Sequence, residues 1–362
     1  MIGRIKLIFL IRYFNIKIIY STHFKMSSVS NSDNFKIFSG NSNQELATRV
    51  ANQLSINLGK AEITKFSDGE TKVVIQENVR KQHCFIVQST GPSSYGSPND
   101  MFMELCIMID ALKRGSAESV NVVMPYYGYS RQDRKDYSRA PISARVVATM
   151  LESLGINRVI VFDLHAYQIQ GFFSSNTPVD NLTAEPYFIK YINDNIIIKD
   201  TNLNNYIIVS PDEGGVKRAN RVADKIGLGL AIIHKERSQA NVIDRMELIG
   251  NVSGKIVVMI DDMIDTGGTA CKAAHLLKER GATEIYMLVT HGIFSGTAFK
   301  KIRNSDFTKV VATNTLELRQ KLASDCKIEI IDISKMCAEA IRRSLLGESI
   351  SDLYNGGFNK II

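Results

Sequence analysis

The sequence predicts an α/β protein of two domains, each a mainly parallel sheet flanked by helices. Three observations predict it. From Phe35 onward, apolar runs of strand length alternate with longer amphipathic stretches, the pattern of parallel strands joined by crossover helices. The chain has 362 residues, room for two domains at roughly 150 residues each. Apolar residues make up 44% and charged residues 22%, which is ordinary globular usage and gives no support to disordered, collagen-like or coiled-coil readings.

In chain order, the strand-like runs are Lys36 to Phe38, Cys84 to Gln88, Val120 to Val123, Arg158 to Phe162, Tyr206 to Val209, Ile256 to Ile260 and Ile285 to Val289. Helical spacing falls on Glu45 to Leu58, Asp100 to Arg114, Ser143 to Leu154, Gly215 to Lys225 and Thr269 to Arg280. Gly115, Gly155 and Gly281 each stand where a helix C-cap needs a left-handed residue. Polar turn formers crowd between Lys190 and Asn205, so the domain boundary is placed just before them, near Ala184. This gives an N-terminal extension over 1–34, one domain over 35–183 and a second over 184–362. The last helix, Cys337 to Leu346, can pack on either.

The net charge is +7, from 44 basic and 37 acidic residues. Much of the excess lies in the extension, where Arg4, Lys6, Arg12, Lys17 and Lys25 face Asp33 alone. No long basic stripe with interleaved aromatics follows, so nucleic acid is not an expected partner. Lys6, Arg12 and Lys17 interrupt the isoleucine-rich stretch from Ile5 to Tyr20, which therefore lacks the roughly 20 uncharged residues of a membrane span. The preferred reading is that Met26, in M-S-S-V-S, is the true start of a cytoplasmic protein, with organelle targeting second. Five widely spaced cysteines with no C-x-x-C pair fit a reducing compartment. Cys271 and His275 have the spacing of half a metal site, but core packing is the preferred reading because no second pair completes it.

The sharpest chemical signal is I-V-V-M-I-D-D-M-I-D-T-G-G-T at 256–269. An apolar strand ends at Asp261 and Asp262; Asp265, Thr266, Gly267, Gly268 and Thr269 then form a tight loop that opens a helix. Ligands in open α/β sheets bind beyond the strand C-termini. Glycines let backbone N–H groups approach a phosphate, and the helix N-terminus adds partial positive charge. Two adjacent carboxylates can accept from vicinal sugar hydroxyls or reach a hydrated Mg²⁺. The combination describes a cradle for a sugar phosphate, and it is neither a Walker A loop nor a G-x-G-x-x-G turn.

That run resembles the phosphoribosyl pyrophosphate loop of the phosphoribosyltransferase superfamily. Further motifs resemble one family within it, the ribose-phosphate pyrophosphokinases: F-S-D-G-E-T at 66–71, N-D-M-F-M-E-L at 99–105, P-Y-Y-G-Y-S-R-Q-D-R at 125–134, D-L-H-A-Y-Q-I-Q-G-F-F at 163–173 and S-P-D-E-G-G-V at 210–216. The resemblance runs from about Phe35 to Tyr354. It implies two domains of type I phosphoribosyltransferase fold with the active site between them. The implied reaction transfers the pyrophosphoryl group of ATP to the C1 hydroxyl of ribose 5-phosphate, giving AMP and 5-phosphoribosyl pyrophosphate.

The same resemblance assigns residues. Phe66, Asp68, Gly69, Glu70, Arg131 and Gln132 fall on ATP-binding positions. Asp68 and Glu70 can accept from an adenine amino group, and Arg131 can stack on a base or pair with phosphate. Asp261, Asp262 and the loop from Asp265 to Thr269 fall on ribose 5-phosphate positions. His165 and Asp212 are implied to position ATP and Mg²⁺; Asp180, near the ribose 5-phosphate side, is grouped with them as a metal position. Lys235 and Arg237 match the catalytic flexible loop, where cations stabilise charge spread over the transferring group, and His165 is counted with them as catalytic. Homo-oligomers, hexamers built of dimers, are implied too, with phosphate and ADP as regulators.

The chain departs from the family pattern at several places. Glu236 replaces an arginine between the two loop cations, and Ser238 and Gln239 replace proline and a further basic residue. Insertions lie around Ser93 to Gly96 and at Ser175 to Asn176, and Ser174 stands at an aspartate. These loop changes motivate a competing reading, a non-catalytic associated subunit of the same complex. A true base-joining phosphoribosyltransferase is the third reading, disfavoured by the additional ATP motifs of the N-terminal domain.

Overall fold

A computed structural model describes residues 34–197, 202–236, 245–320 and 327–353. The N-terminal extension, Arg237, Ser238, Gln239 and Cys326 lie outside the described residues. The first half runs β1 (Phe35–Ser39), α1 (Gln44–Gln53), β2 (Ala61–Lys65), β3 (Thr71–Ile75), β4 (His83–Val87), α2 (Pro98–Arg114), β5 (Ser119–Met124), α3 (Ser143–Ser153), β6 (Arg158–Phe162) and β7 (Val179–Leu182). The second half runs α4 (Glu185–Tyr191), β8 (Tyr206–Ser210), α5 (Val216–Ile226), β9 (Gly229–Glu236), β10 (Arg245–Ile249), β11 (Ile256–Ile264), α6 (Gly268–Glu279), β12 (Glu284–Gly292), α7 (Ala298–Arg303), β13 (Lys309–Thr313), β14 (Ile328–Ile331) and α8 (Ser334–Leu346).

Two open sheets result. The first, in the order β1-β4-β5-β6-β7, is parallel throughout. The second, β10-β9-β8-β11-β12-β13-β14, is parallel except for the β9–β10 pair. A separate antiparallel hairpin joins β2 to β3. Valine and isoleucine dominate β5, β6, β8 and the first half of β11, as strands covered on both faces require. Helices α2 and α3 cover one face of the first sheet, through Leu105, Ile109, Val147 and Leu151. In the second, α6 and α7 cover one face and α4 and α5 the other.

The seven sequence-level strands and five helices are all present, with three instructive details. Helix α1 ends at Gln53, because Ser55 turns left-handed at φ 58°. Gly155 and Gly281 take the expected left-handed backbone, but Gly115 stays right-handed at φ −71° and Ser116 makes the reversal at φ 65°. The third concerns the last helix. Helix α8 places Met336, Cys337, Ala340 and Ile341 against Leu46, Val50, Phe85 and Phe162, so it closes the second face of the N-terminal sheet together with α1. Of the two packings open to this helix, it takes the N-terminal sheet, whose second apolar face it shares with α1. No described helix is long and apolar enough to cross a membrane.

Candidate active site

The C-terminal ends of β6 and β11 meet where the two sheets face each other. The β11 strand carries its apolar run to Ile260 and then presents Asp261 and Asp262, the latter 5% exposed. Beyond it the chain turns through Asp265 and Thr266 to Gly267, whose φ of 72° is a left-handed conformation that glycine adopts without strain. Gly267 caps α6 with no side-chain hydrogen bond. The first-turn N–H groups of that helix thus lack a side-chain acceptor, which suits an incoming anion.

Across the domain boundary, His165 Nδ1 stands 2.7 Å from Asp262 Oδ2. Two residues before it, Asp163 adopts φ 35°. Its carboxylate accepts from Thr183 Oγ1 at 3.0 Å, the Ala184 N–H at 2.8 Å and Thr290 Oγ1 of the other domain at 2.7 Å. Buried His291 adds a second stitch, its Nε2 3.1 Å from the Phe162 carbonyl oxygen. Arg218 of α5 brings Nη1 to 3.8 Å from Asp261 Oδ1 and 3.7 Å from Asp262 Oδ1.

These neighbours drive the two acids apart. Burial, reinforced by the charges of Asp262 and Asp212, pushes the Asp261 carboxyl well above its usual range. Burial acts the same way on Asp262, but the hydrogen bond to His165 and the charge of Arg218 outweigh it and hold that carboxyl low. The same hydrogen bond raises His165 against the opposing effect of burial.

Lys235, at the end of β9, has a buried side chain with Nζ 3.2 Å from Asp212 Oδ2. Asp212 Oδ1 accepts from the Gly215 N–H at 3.0 Å, fixing the carboxylate at the start of α5. Arg131 Nη1 donates to Asp265 Oδ2 at 2.9 Å, so a residue expected on the ATP side touches the loop expected to take the sugar phosphate. Gln132 accepts from Ser143 Oγ. The Phe66-to-Glu70 segment is the tip of the β2–β3 hairpin, closed by Phe66 N–H to the Glu70 carbonyl at 2.8 Å and opened by Gly69 at φ 96°. Phe66 is 52% exposed there. No hydrogen bond or ion pair joins this tip to Arg131, Gln132 or the loop among the described residues.

Asp180, on β7, is paired with Arg158 of the adjoining strand. The described residues contain no group of three His, Cys, Asp or Glu side chains able to hold a metal ion. His165, Asp212 and Asp180 thus do not form one protein cage. One or two carboxylates are nevertheless enough for a cation that arrives on phosphate oxygens, and Asp212, whose side chain is 37% exposed, is a carboxylate such a cation could reach. Cys271 packs partly buried against the core of the second sheet, whereas His275 is exposed, with Nδ1 2.9 Å from Asp306 Oδ2.

Two departures in sequence find structural partners. Ser174 donates from its N–H and Oγ to Glu152 Oε1, both at 2.7 Å. In the inserted segment, Ser94 donates from its N–H and Oγ to Glu317 at 2.7 and 2.9 Å, tying the insertion to the other domain. Reading the sequence missed Arg218, Asp163, Thr290 and His291. For Arg218 a signal existed: it occupies the buried row Arg218, Ala219, Val222, Ala223 of α5, and a basic residue in an apolar stripe needs a buried partner.

Comparisons with known proteins agree along the chain. A family model described as the N-terminal domain of ribose phosphate pyrophosphokinase matches residues 35–155, and one described as the phosphoribosyl synthetase-associated domain matches 239–355. The chain is 50% identical over 324 residues to ribose-phosphate pyrophosphokinase 2 of Schizosaccharomyces pombe, covering 90% of this chain and 98% of that one. It is 49% identical over 323 residues to ribose-phosphate pyrophosphokinase A of Dictyostelium discoideum, covering 89% and 98%. The crystal structure of phosphoribosylpyrophosphate synthetase from Mycobacterium smegmatis is similar with a TM-score of 0.78 at 37% identity, over 87% of this chain and all of that one.

Proposed function

The chain belongs to the ribose-phosphate pyrophosphokinase family, and on that premise we propose how its own residues divide the reaction. The C1 oxygen of ribose 5-phosphate attacks the β-phosphorus of ATP and releases its proton to solvent. The bond from that phosphorus to the α–β bridging oxygen breaks, and AMP leaves with the oxygen. The observation that carries this reading is the contact of His165 with Asp262, which puts an ATP-side motif and the sugar-phosphate strand into one cleft at the C-terminal ends of both sheets.

The loop from Asp265 to Thr269 takes the 5-phosphate on the free N–H groups opening α6. Asp261 and Asp262 accept from the ribose hydroxyls. Lys235, already buried beside Asp212, and Arg237 of the following segment place positive charge on the transferring group. His165 orients the polyphosphate. Arg131 exchanges Asp265 for the nucleotide, and Phe66, Asp68, Gly69, Glu70 and Gln132 take the adenine.

Asp212 and His165 would hold a Mg²⁺ carried in by the nucleotide, which would supply positive charge to the phosphate oxygens. Met103 on α2 and Val146 on α3, 48% and 52% exposed, support assembly with further copies into dimers and hexamers. Phosphate and ADP are the proposed regulators of that assembly, and the cytoplasm its compartment.

The test is AMP release by purified protein given ATP, Mg²⁺, phosphate and ribose 5-phosphate, with the sugar omitted in the control. Sugar-dependent AMP with matching 5-phosphoribosyl pyrophosphate supports the catalytic reading. Absence of AMP from protein that binds both ligands replaces it with the associated-subunit reading.

A further inference from the structure

Arg218 is a buried cation of the cleft, and nothing in the division of labour above uses it. Only 7% of its surface is exposed, and its Nε has no hydrogen-bond partner. Arg342, also 7% exposed, is by contrast saturated by Glu339 and Glu348 at 2.8–2.9 Å. Arg218 faces three aspartates without closing on any: Asp261 and Asp262 at 3.8 and 3.7 Å, and the charge of Asp163 from the other domain.

The gap has a chemical meaning. A guanidinium in forked contact at about 2.8 Å occupies both oxygens of a carboxylate. At 3.7–3.8 Å Arg218 lends charge to both acids and takes no lone pair from either, since charge acts through space while hydrogen bonds need contact. Two neighbouring buried carboxylates need such a charge to keep their orientation. A vicinal diol in turn needs acceptors whose lone pairs are still open.

We infer that Arg218 is a positioning residue for the sugar: with Asp261 Oδ1 taken by the Asp262 N–H and Asp262 Oδ2 by His165, it keeps Asp261 Oδ2 and Asp262 Oδ1 open to two vicinal hydroxyls, and thereby sets the preference for a ribose over a 2-deoxyribose phosphate. The inference rests on the reading of Asp261 and Asp262 as the holders of the ribose hydroxyls.

The experiment compares wild type with Arg218→Met, Arg218→Gln, Arg218→Lys and Asp261→Asn. It measures KM for ribose 5-phosphate and for ATP, the inhibition constant of 2-deoxyribose 5-phosphate as a competitor, and thermal melting. Arg218→Met should raise the ribose 5-phosphate KM about tenfold while the ATP KM stays within about twofold. The competitor's constant should change much less, so that the preference for the 2-hydroxyl shrinks. Arg218→Lys, which restores the charge, should recover part of it.

An unchanged preference in folded Arg218→Met overturns the inference, and so does an equal loss for both sugars. If Arg218→Met does not fold, Arg218→Gln decides by the same ratio, because it removes the charge while keeping a polar, hydrogen-bonding end. If Asp261→Asn leaves the ribose 5-phosphate KM unchanged, the ribose reading itself has failed. If Asp261→Asn raises that KM and the Arg218 variants do not alter the preference, only the role of Arg218 has failed.

Discussion

Lys235 Nζ lies 3.2 Å from Asp212 Oδ2, with the lysine side chain 7% exposed. The cation is therefore stored at the strand end, beside Asp212, before any phosphate arrives. An ammonium held this way is already dehydrated and oriented, which is what makes charge effective at a transition state.

Lys235→Ala should lower kcat by about 100- to 1,000-fold, the usual effect of removing one preorganised charge from a transition state. The ATP KM should stay within about threefold, because the adenine-side residues are untouched. Steady-state kinetics with each substrate varied checks both. Turnover unchanged in the variant would remove Lys235 from the mechanism.

Gly267→Ala probes the phosphate loop through the backbone. A methyl at this position would meet Ile302 Cγ1 at 3.7 Å, an ordinary contact, so space is not the obstacle. The cost is the φ of 72°, about 1–2 kcal/mol for a residue with a β-carbon. The loop relieves that strain by shifting the N–H groups that open α6. The ribose 5-phosphate KM should rise by about tenfold or more with the ATP KM unchanged. Equal changes in both constants would show that the loop serves the nucleotide as well.

What the sequence disclosed and what it withheld divide along a physical line. The D-D-M-I-D-T-G-G-T run was legible because strand, loop, left-handed glycine and helix N-terminus are consecutive, so local rules suffice. So was the layered α/β architecture, since apolar strands announce burial on both faces. Asp163 was not legible: its partners, Thr183, Ala184 and Thr290, come from two domains, and only tertiary docking collects them. The same holds for α8, whose apolar face suits either sheet until the second face of the N-terminal one is seen to lack a cover. At Gly115 the local rule was sound but one residue early, because Ser116 makes the reversal and its N–H reaches the Lys113 carbonyl at 3.0 Å.

Asp163→Asn tests the interdomain stitch. The amide leaves one acceptor oxygen where the carboxylate serves three donors, Thr183 Oγ1, the Ala184 N–H and Thr290 Oγ1. At least one buried donor then loses its partner, at about 1–3 kcal/mol. Thermal or urea denaturation should register that loss. Because His165 follows two residues later, kcat should fall as well. A destabilised variant with full kcat would confine Asp163 to a structural role.

The final prediction concerns acid stability at α8. Glu339 is 4% exposed and accepts from Arg342 Nε at 2.8 Å and Arg343 Nε at 2.7 Å. Burial alone would raise its carboxyl, but these two guanidinium groups outweigh it and hold the folded-state pKa below the ordinary 4.5. A depressed carboxyl contributes its stability above the unfolded-state value and loses it as pH falls through the folded-state value, because the unfolded chain then binds the proton first. Glu339→Gln should therefore cost about 1–3 kcal/mol near neutral pH, and the deficit should shrink as pH drops below about 4.5. Urea denaturation of both proteins between neutral and acid pH reads the difference directly. A deficit that stays constant across that range would mean that packing of α8 on β1 and β4, and not the ion pairs, sets the cost of the substitution.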